Sequence, residues 1–367
     1  MNKLGFGLLR FPLKDKSISD DYDWDLLEEM VDHYLSHGGR YFDTCYTYLG
    51  GASEEAVRRL LAARYPRDAF MVAEKLPGYR CHSYEDCHRF YEEEKRRCGL
   101  DFFDVFMLHW LNGDNYEIAK RYDEFRFLKE IKAEGGAKRI GFSYHDSAEL
   151  LDQILTEHPE LDLVQLQINY LDWESAGVQS KACYEVCVKH GKKVIVMEPV
   201  KGGVLADLPE QAMTLLAQQG TPGASAASDA LRFAASLPQV KIVLSGMSTP
   251  EQMEDNLRSM TDFRPITDDE QQLLAQCREI INAATAVPCT SCKYCLEECP
   301  ISVKVPAYFG LLNLYRTLGK KTNMYYERAV FGHAKASECL KCGKCEKICP
   351  QHIRIRQHLE DFAEIYE

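Results

Sequence analysis

Eight cysteines late in the chain could each offer a thiolate to iron, and their spacing occurs twice. The runs are Cys289-x2-Cys292-x2-Cys295-x3-Cys299 before Pro300 and Cys339-x2-Cys342-x2-Cys345-x3-Cys349 before Pro350. In runs of this form three thiolates hold one cubane and the fourth crosses to the other. Two 4Fe-4S clusters are therefore expected. Cys289, Cys292, Cys295 and Cys349 would hold one, and Cys339, Cys342, Cys345 and Cys299 the other. Disulfides would not need the spacing twice, and paired zinc sites would lack the trailing Cys-Pro. Electrons are stored in this chain or pass through it.

A second set lies far upstream: Asp43, Tyr48, Lys75 and His109. Together they suit the reduction of a carbonyl by hydride. A phenol, with an ordinary pKa near 10, is a poor acid at neutral pH unless a cation sits beside it. Lys75 would be that cation for Tyr48, fixed by Asp43, and His109 would hydrogen-bond the carbonyl oxygen. Taken singly, a Lys after a strand is usually a solvated charge and a His usually structural. The set is coherent because its members fall on successive strand ends.

Those strands are part of a longer alternation. Short apolar runs at 4–8, 40–43, 70–74, 103–108, 139–143, 164–167, 194–197 and 241–245 read as strands. Helical patterns separate them at 25–35, 54–65, 85–98, 124–133, 148–155, 181–190 and 225–235. Another helix opens at Thr249-Pro250-Glu251-Gln252, with Thr249 as cap, Pro250 at the first position and Gln252 closing a capping box. Eight β-then-α units in this length fit a (β/α)8 TIM barrel, whose active sites form at the C-terminal strand ends. The strands lack clean alternation, as strands buried on both faces do. No G-x-G-x-x-G follows a strand, which argues against a Rossmann fold. A further helix from about 265 to 284 leads to an expected boundary at 285. The expected domains are a barrel at 1–285 and a small, mainly helical dicluster domain at 286–367. The 39 residues between the cysteine runs carry an apolar helical face behind Pro306, and a helix at 356–366 ends the chain.

The motifs form a recognisable series: Gly5-Phe6-Gly7-Leu8-Leu9-Arg10, Phe42-Asp43-Thr44-Cys45-Tyr46-Thr47-Tyr48, Glu74-Lys75-Leu76, Leu108-His109-Trp110 and Gly141-Phe142-Ser143. It continues through Val164 to Tyr170, Glu198-Pro199-Val200-Lys201-Gly202-Gly203, and Gly246-Met247 to Leu257. In this order they span nearly the whole barrel, and the sequence resembles an aldo-keto reductase carrying a C-terminal ferredoxin-like domain. The resemblance implies NAD or NADP lying extended across the barrel mouth. Ser143 and Gln165 match positions that bind the nicotinamide carboxamide. Lys201, Gly202 and Gly203 match the pyrophosphate loop, and Ser248, Asp255 and Asn256 the adenosine end. Two departures stand out. Met197 replaces the Tyr that many members stack on the nicotinamide. Gly246, Met247 and Gln252 stand where NADP-specific members place cations for the 2′-phosphate. That leans toward NAD, with Lys241 and Arg258 as the cations still in reach.

Composition bounds the rest. A net charge of −12 argues against nucleic acid, which needs cations to displace counterions. No apolar run approaches the ~20 residues that span a bilayer, and the N-terminus lacks a signal-peptide core. Seven cysteines outside the runs read as free thiols of a cytoplasmic protein. Cys45 among them reads as a structural thiol, the run Glu92-Glu93-Glu94 as a solvated helix face, and Lys341, Lys344 and Lys347 as a solvated or partner-docking face. Three functions follow. The leading one is an NAD(P)-dependent oxidoreductase of a small carbonyl or alcohol, linked to electron transfer by its clusters. The second is an electron-transfer protein, with flavin or nicotinamide in the barrel and a ferredoxin or other redox partner. The third is a binding scaffold stapled by the clusters.

Overall fold

A computed structural model of the chain describes residues 2–15, 20–261, 263–283, 287, 289, 294–319, 321–349 and 352–367. It divides into two compact units. The first comprises Met1–Glu174, Val178–Val200 and Ala227–Ile266, and the second Ser175–Gly177, Lys201–Ala226 and Thr267–Glu367.

Eight parallel strands close the first unit into a barrel in sequence order. They are β1 (Leu4–Gly7), β2 (Tyr41–Asp43), β3 (Met71–Leu76), β4 (Phe103–Leu111), β5 (Ala137–Tyr144), β6 (Leu163–Gln167), β7 (Lys193–Met197) and β8 (Val240–Ser245). Strand β1 pairs with both β2 and β8, so the sheet has no free edge. All eight expected strands are present within a few residues of their expected bounds.

Strand side chains alternate between the barrel interior and the helix layer. Tyr41, Ala73, Val105, Met107, Leu163, Ile195, Ile242 and Leu244 fill the interior. Glycine makes room for them: a Cβ on Gly5 would stand 2.7 Å from Ile242 and 2.8 Å from Leu244. The outward positions, such as Phe42, Val72, Phe106, Phe142, Val164 and Val243, are buried under helices. Tyr34 of the helix Trp24–Ser36 shows how a helix is held. Its ring meets Phe42 edge-on at 5.2 Å, and its hydroxyl donates to Leu4 O at 2.7 Å. Such an aromatic pair adds about 1 kcal/mol beyond the area it buries.

The helix Pro250–Thr261 has Thr249 as its cap, with Oγ1 accepting the Gln252 amide at 3.3 Å. The expected capping box is not closed: Gln252 Oε1 accepts the Ser248 amide at 2.8 Å rather than that of Thr249. The helix expected over 54–65 is instead an α-helix over Ala52–Ala56 that widens into a π-helical turn over Val57–Ala62. Gly113–Arg121 is a helix that the sequence reading passed over. It starts on a glycine and buries only Tyr116 and Ala119, so its apolar signal is weak. Asn112 caps it by accepting the Asn115 amide at 2.9 Å.

In the second unit the helices Glu210–Gln219 and Asp268–Ala283 pack together, the latter opened by a Thr267/Glu270 capping box. The helices Val305–Leu318, Asn323–Val330 and Ile355–Tyr366 surround a core of Tyr308, Phe309, Leu312 and Phe362. Tyr308 stacks on Phe362 at 4.9 Å and donates to Ala334 O at 2.7 Å. The expected boundary at 285/286 lies outside the described residues. By packing, Lys201–Ala226 and the helix Asp268–Ala283 group with the C-terminal segment. Among the described residues no helix is long and apolar enough to cross a membrane.

Candidate active site and cluster ligands

The barrel's pleat explains the site. One strand period beyond the interior residues Tyr41, Ala73, Met107, Gly141, Leu163 and Ile195 come Asp43, Lys75, His109, Ser143, Gln165 and Met197. Six of the predicted residues therefore share the inward face at the C-terminal strand ends.

Lys75 and Asp43 are both buried, and Nζ donates to Asp43 Oδ1 at 2.6 Å and to Thr44 O at 2.7 Å. Burial is the largest influence on Lys75 and alone would drive its proton off, but Asp43, Tyr48 and Cys45 together outweigh it and push the ammonium's pKa up. Burial also raises the Asp43 carboxyl, opposed by Lys75 and by Gln165 Nε2, which donates to Oδ2 at 3.2 Å. The two directions disagree on whether the pair is charged. The donors converging on Asp43 and the two acceptors on Nζ favour ammonium and carboxylate. That ammonium sits 4.8 Å from the Tyr48 ring centre, and the Tyr48 and His109 rings meet edge-on at 5.9 Å. The tetrad thus comes together as expected.

Cys45 has no basic neighbour in sequence. In space its Sγ lies 3.2 Å from His109 Nδ1. Burial pushes its thiol well up, with Lys75 opposing only in part, so Cys45 keeps its proton and is no nucleophile. Tyr79 and Trp110 complete the aromatic wall beside His109, with Tyr79 at 6.0 Å from His109 and 5.6 Å from Trp110. Sequence reasoning missed Tyr79, because Pro77-Gly78 marks it only as a turn residue.

Ser143 Oγ accepts the Trp110 amide at 2.7 Å. Gln165 is buried with Oε1 lacking a hydrogen-bond partner among the described residues. An orphaned amide oxygen beside a hydroxyl is what a carboxamide group fits. Met197 packs at the edge of the interior cluster. At the other cofactor positions of this unit, Ser248 Oγ donates to Arg10 O at 3.1 Å and Asn256 is buried, donating to Ser245 Oγ at 2.8 Å. Asp255 pairs with Arg258 at 2.7 Å, so Arg258 is already engaged. Lys241 stands near the start of β8, at the end of the strand away from this site, and is no candidate cation. Arg10 is one that the sequence reading overlooked, its stem lying 3.0 Å from where a Cβ on Gly246 would be. Lys201, Gly202 and Gly203 lie in the second unit, where all three adopt positive φ (48°, 66° and 94°).

In that unit Cys299, Cys339, Cys342 and Cys345 line one cavity with Ile301, Val303 and Leu359. The cavity brings together three cysteines of the second run and one of the first, the grouping that a crossover needs. Val303 N–H donates to Cys299 Sγ at 3.2 Å, the kind of bond that tunes a cluster's potential. Cys289, Cys295 and Cys349 pack against the same core, and Cys292 lies outside the described residues. The donor set fits two cubanes. The seven other cysteines are buried, and none of them forms a disulfide among the described residues. One expectation fails: in Glu92-Glu93-Glu94 only Glu92 is exposed, and Glu94 is fully buried. Glu94 falls on the same helix face as the buried Tyr91 and Cys98, three residues after one and four before the other.

The model of the Aldo/keto reductase family matches residues 3–279, and that of a 4Fe-4S dicluster domain matches 288–353. An aldo-keto reductase of Mycolicibacterium smegmatis is 29% identical over 67% of this chain and 80% of its own length. Among solved structures, an aldo-keto reductase from Bacillus halodurans in its holo form superposes with a TM-score of 0.61 at 22% identity, covering 75% of this chain and 91% of that one. One from Klebsiella pneumoniae in complex with NADPH gives 0.58 at 18%, covering 75% and 90%.

Proposed function

The chain belongs to the aldo/keto reductase family and carries a 4Fe-4S dicluster domain, and from that premise we propose that it reduces a small carbonyl to its alcohol, or runs the reverse, with NADH or NADPH. The observation that carries the reading is the buried Lys75–Asp43 pair, 2.6 Å apart, with its ammonium against the Tyr48 ring. Bound nicotinamide supplies the hydride, two electrons and a proton's mass, to the carbonyl carbon. Tyr48 gives its phenolic proton to the oxygen, and Lys75 favours the phenolate left behind. His109 orients the oxygen, and the Cys45 contact at Nδ1 restrains its ring. Ser143 and the free Gln165 oxygen would hold the carboxamide, with Met197 beneath the ring. Lys201, Gly202 and Gly203 would meet the pyrophosphate, and Ser248, Asp255 and Asn256 the adenosine end.

Each cubane adds a one-electron site, and nicotinamide moves electrons in pairs. We assign the dicluster domain a role in passing single electrons to an external carrier. Exposed Cys342, Leu340 and Ile348, interleaved with Lys341, Lys344 and Lys347, support docking of an acidic partner such as a ferredoxin.

Tyr48→Phe removes only the hydroxyl. It should lower turnover by about 10²–10⁴-fold while nucleotide binding persists, and Lys75→Met should cost at least as much. Steady-state kinetics on an anaerobic carbonyl panel check this. Near-full turnover of the Phe variant would end the reading.

A further inference from the structure

Behind the strand that carries Lys75 lies a second cluster that the reaction does not use. Along β3 the outward positions are Val72, Glu74 and Leu76, all buried under helices. A carboxylate is out of place there. Facing it are Glu54 of Ala52–Ala56 and, one turn apart on Tyr84–Cys98, Glu94 and Cys98. All four side chains are fully buried. Ligating atoms of Glu54, Glu74 and Cys98 lie within 4.8 Å of one another.

The cluster's hydrogen bonds leave it incomplete. Glu74 Oε1 accepts the Lys75 amide at 2.8 Å and Oε2 takes the Cys98 thiol at 3.6 Å. Glu54 Oε2 accepts Arg97 at 2.9 Å, yet its Oε1 has no partner among the described residues. Neither oxygen of Glu94 has one among the described residues. Its strongest charged neighbours are Glu74 and then Glu54, so its carboxyl stands beside theirs. Arg97 is shared with Glu93 at 2.5 Å and cannot balance three carboxylates. Buried charges persist only when paired or coordinated.

We propose that Glu54, Glu74 and Cys98, with Glu94 beside them, bind one divalent cation of the zinc type. With Cys98 deprotonated, a dication and the Arg97 guanidinium together offset the Glu54 and Glu74 carboxylates and the thiolate, and Glu94 enters as the neutral acid. Sulfur in the set favours zinc over magnesium or calcium. On ligation the Cys98 sulfur gives its proton to solvent and donates to the metal. Tetrahedral zinc, with oxygens at about 2.1 Å and sulfur at about 2.3 Å, sets its ligand atoms about 3.5 Å apart, so the side chains close by about an ångström. The ion would tie β3 to two surrounding helices directly behind Lys75.

The test uses the full-length chain, purified anaerobically from zinc-supplemented medium and passed over a chelating resin. Metal analysis should give one zinc per chain beside the cluster iron. Absorption at the zinc edge, to which the clusters are silent, should show a mixed shell of oxygens and a single sulfur. Glu74→Gln and Cys98→Ala should each weaken zinc binding at least ~10-fold with iron content unchanged. A four-sulfur shell, meaning zinc in the cluster cysteines, overturns the proposal. So does zinc at background in the parent protein, which needs no variant to fold, or a mixed shell surviving both substitutions.

Discussion

At the scale of residues, the adenosine end poses the clearest question of charge. Gln252 Oε1 accepts the Ser248 amide at 2.8 Å, and no Lys or Arg stands at 246, 247 or 252. A charge-assisted contact to a 2′-phosphate contributes about 1.5–3 kcal/mol, or roughly tenfold or more in affinity. Gln252→Arg should therefore raise the NADPH-to-NADH ratio of kcat/KM by about tenfold. An unchanged ratio would show that residue 252 does not face the ribose. Asp43, Lys75 and His109 were legible in sequence because each ends an apolar strand run whose period fixes where it points, and Tyr48 follows in the loop after β2. The Cys45–His109 contact was not, since 64 positions separate the two and only the pairing of β2 and β4 to either side of β3 joins them. Arg10 was quoted within a motif, yet its placement over Gly246 depends on β1 and β8 being neighbours across the seam.

Elements explain most of what remained hidden. Strands buried on both faces announce themselves by composition, so the barrel could be read. Helices with few buried residues, such as Gly113–Arg121, could not. The inward turn of Glu94 was concealed by its two polar neighbours. Glu124, first residue of the helix Glu124–Ala133, is another buried carboxyl, and its Oε1 has no partner among the described residues. A Cβ on Gly78 would collide with it, so the turn at Gly78 closes over this carboxyl. Burial alone pushes its pKa up to about 8, against about 4.3 in an unfolded chain. The folded state therefore prefers the protonated acid. Its stability is intact below about pH 4.3 and is lost as pH rises toward 8. Glu124→Gln should flatten part of the fall in melting temperature between pH 5 and 8.5, followed by circular dichroism. A parallel fall in both proteins would mean that Glu124 is paired and ionised throughout.

For the whole molecule, the crossover of Cys299 is the informative joint. It lines a cavity with three cysteines of the other run, so its loss should injure the second cluster and spare the first. Cys299→Ser should retain about four of eight irons, since each cubane holds four. Carbonyl reduction should survive, whereas transfer from NADH to a viologen dye should fall severalfold. Iron analysis with anaerobic assays decides. Unchanged dye reduction would mark the clusters as fasteners rather than conductors. The two-run spacing made this domain readable without any structure, because ligand chemistry dictates sequence more tightly than packing does.

The Ser143 hydroxyl has two obligations. As acceptor it holds the amide of Trp110, a residue with φ of 57° next to the register shift in β4. As donor, its remaining proton is the one proposed for the carboxamide. Removing the hydroxyl would therefore unfasten the aromatic wall and the nucleotide in one stroke, and the loss could not be divided between them. Selection acting on either duty preserves the other, so this serine has fewer neutral exits open to it than its size suggests.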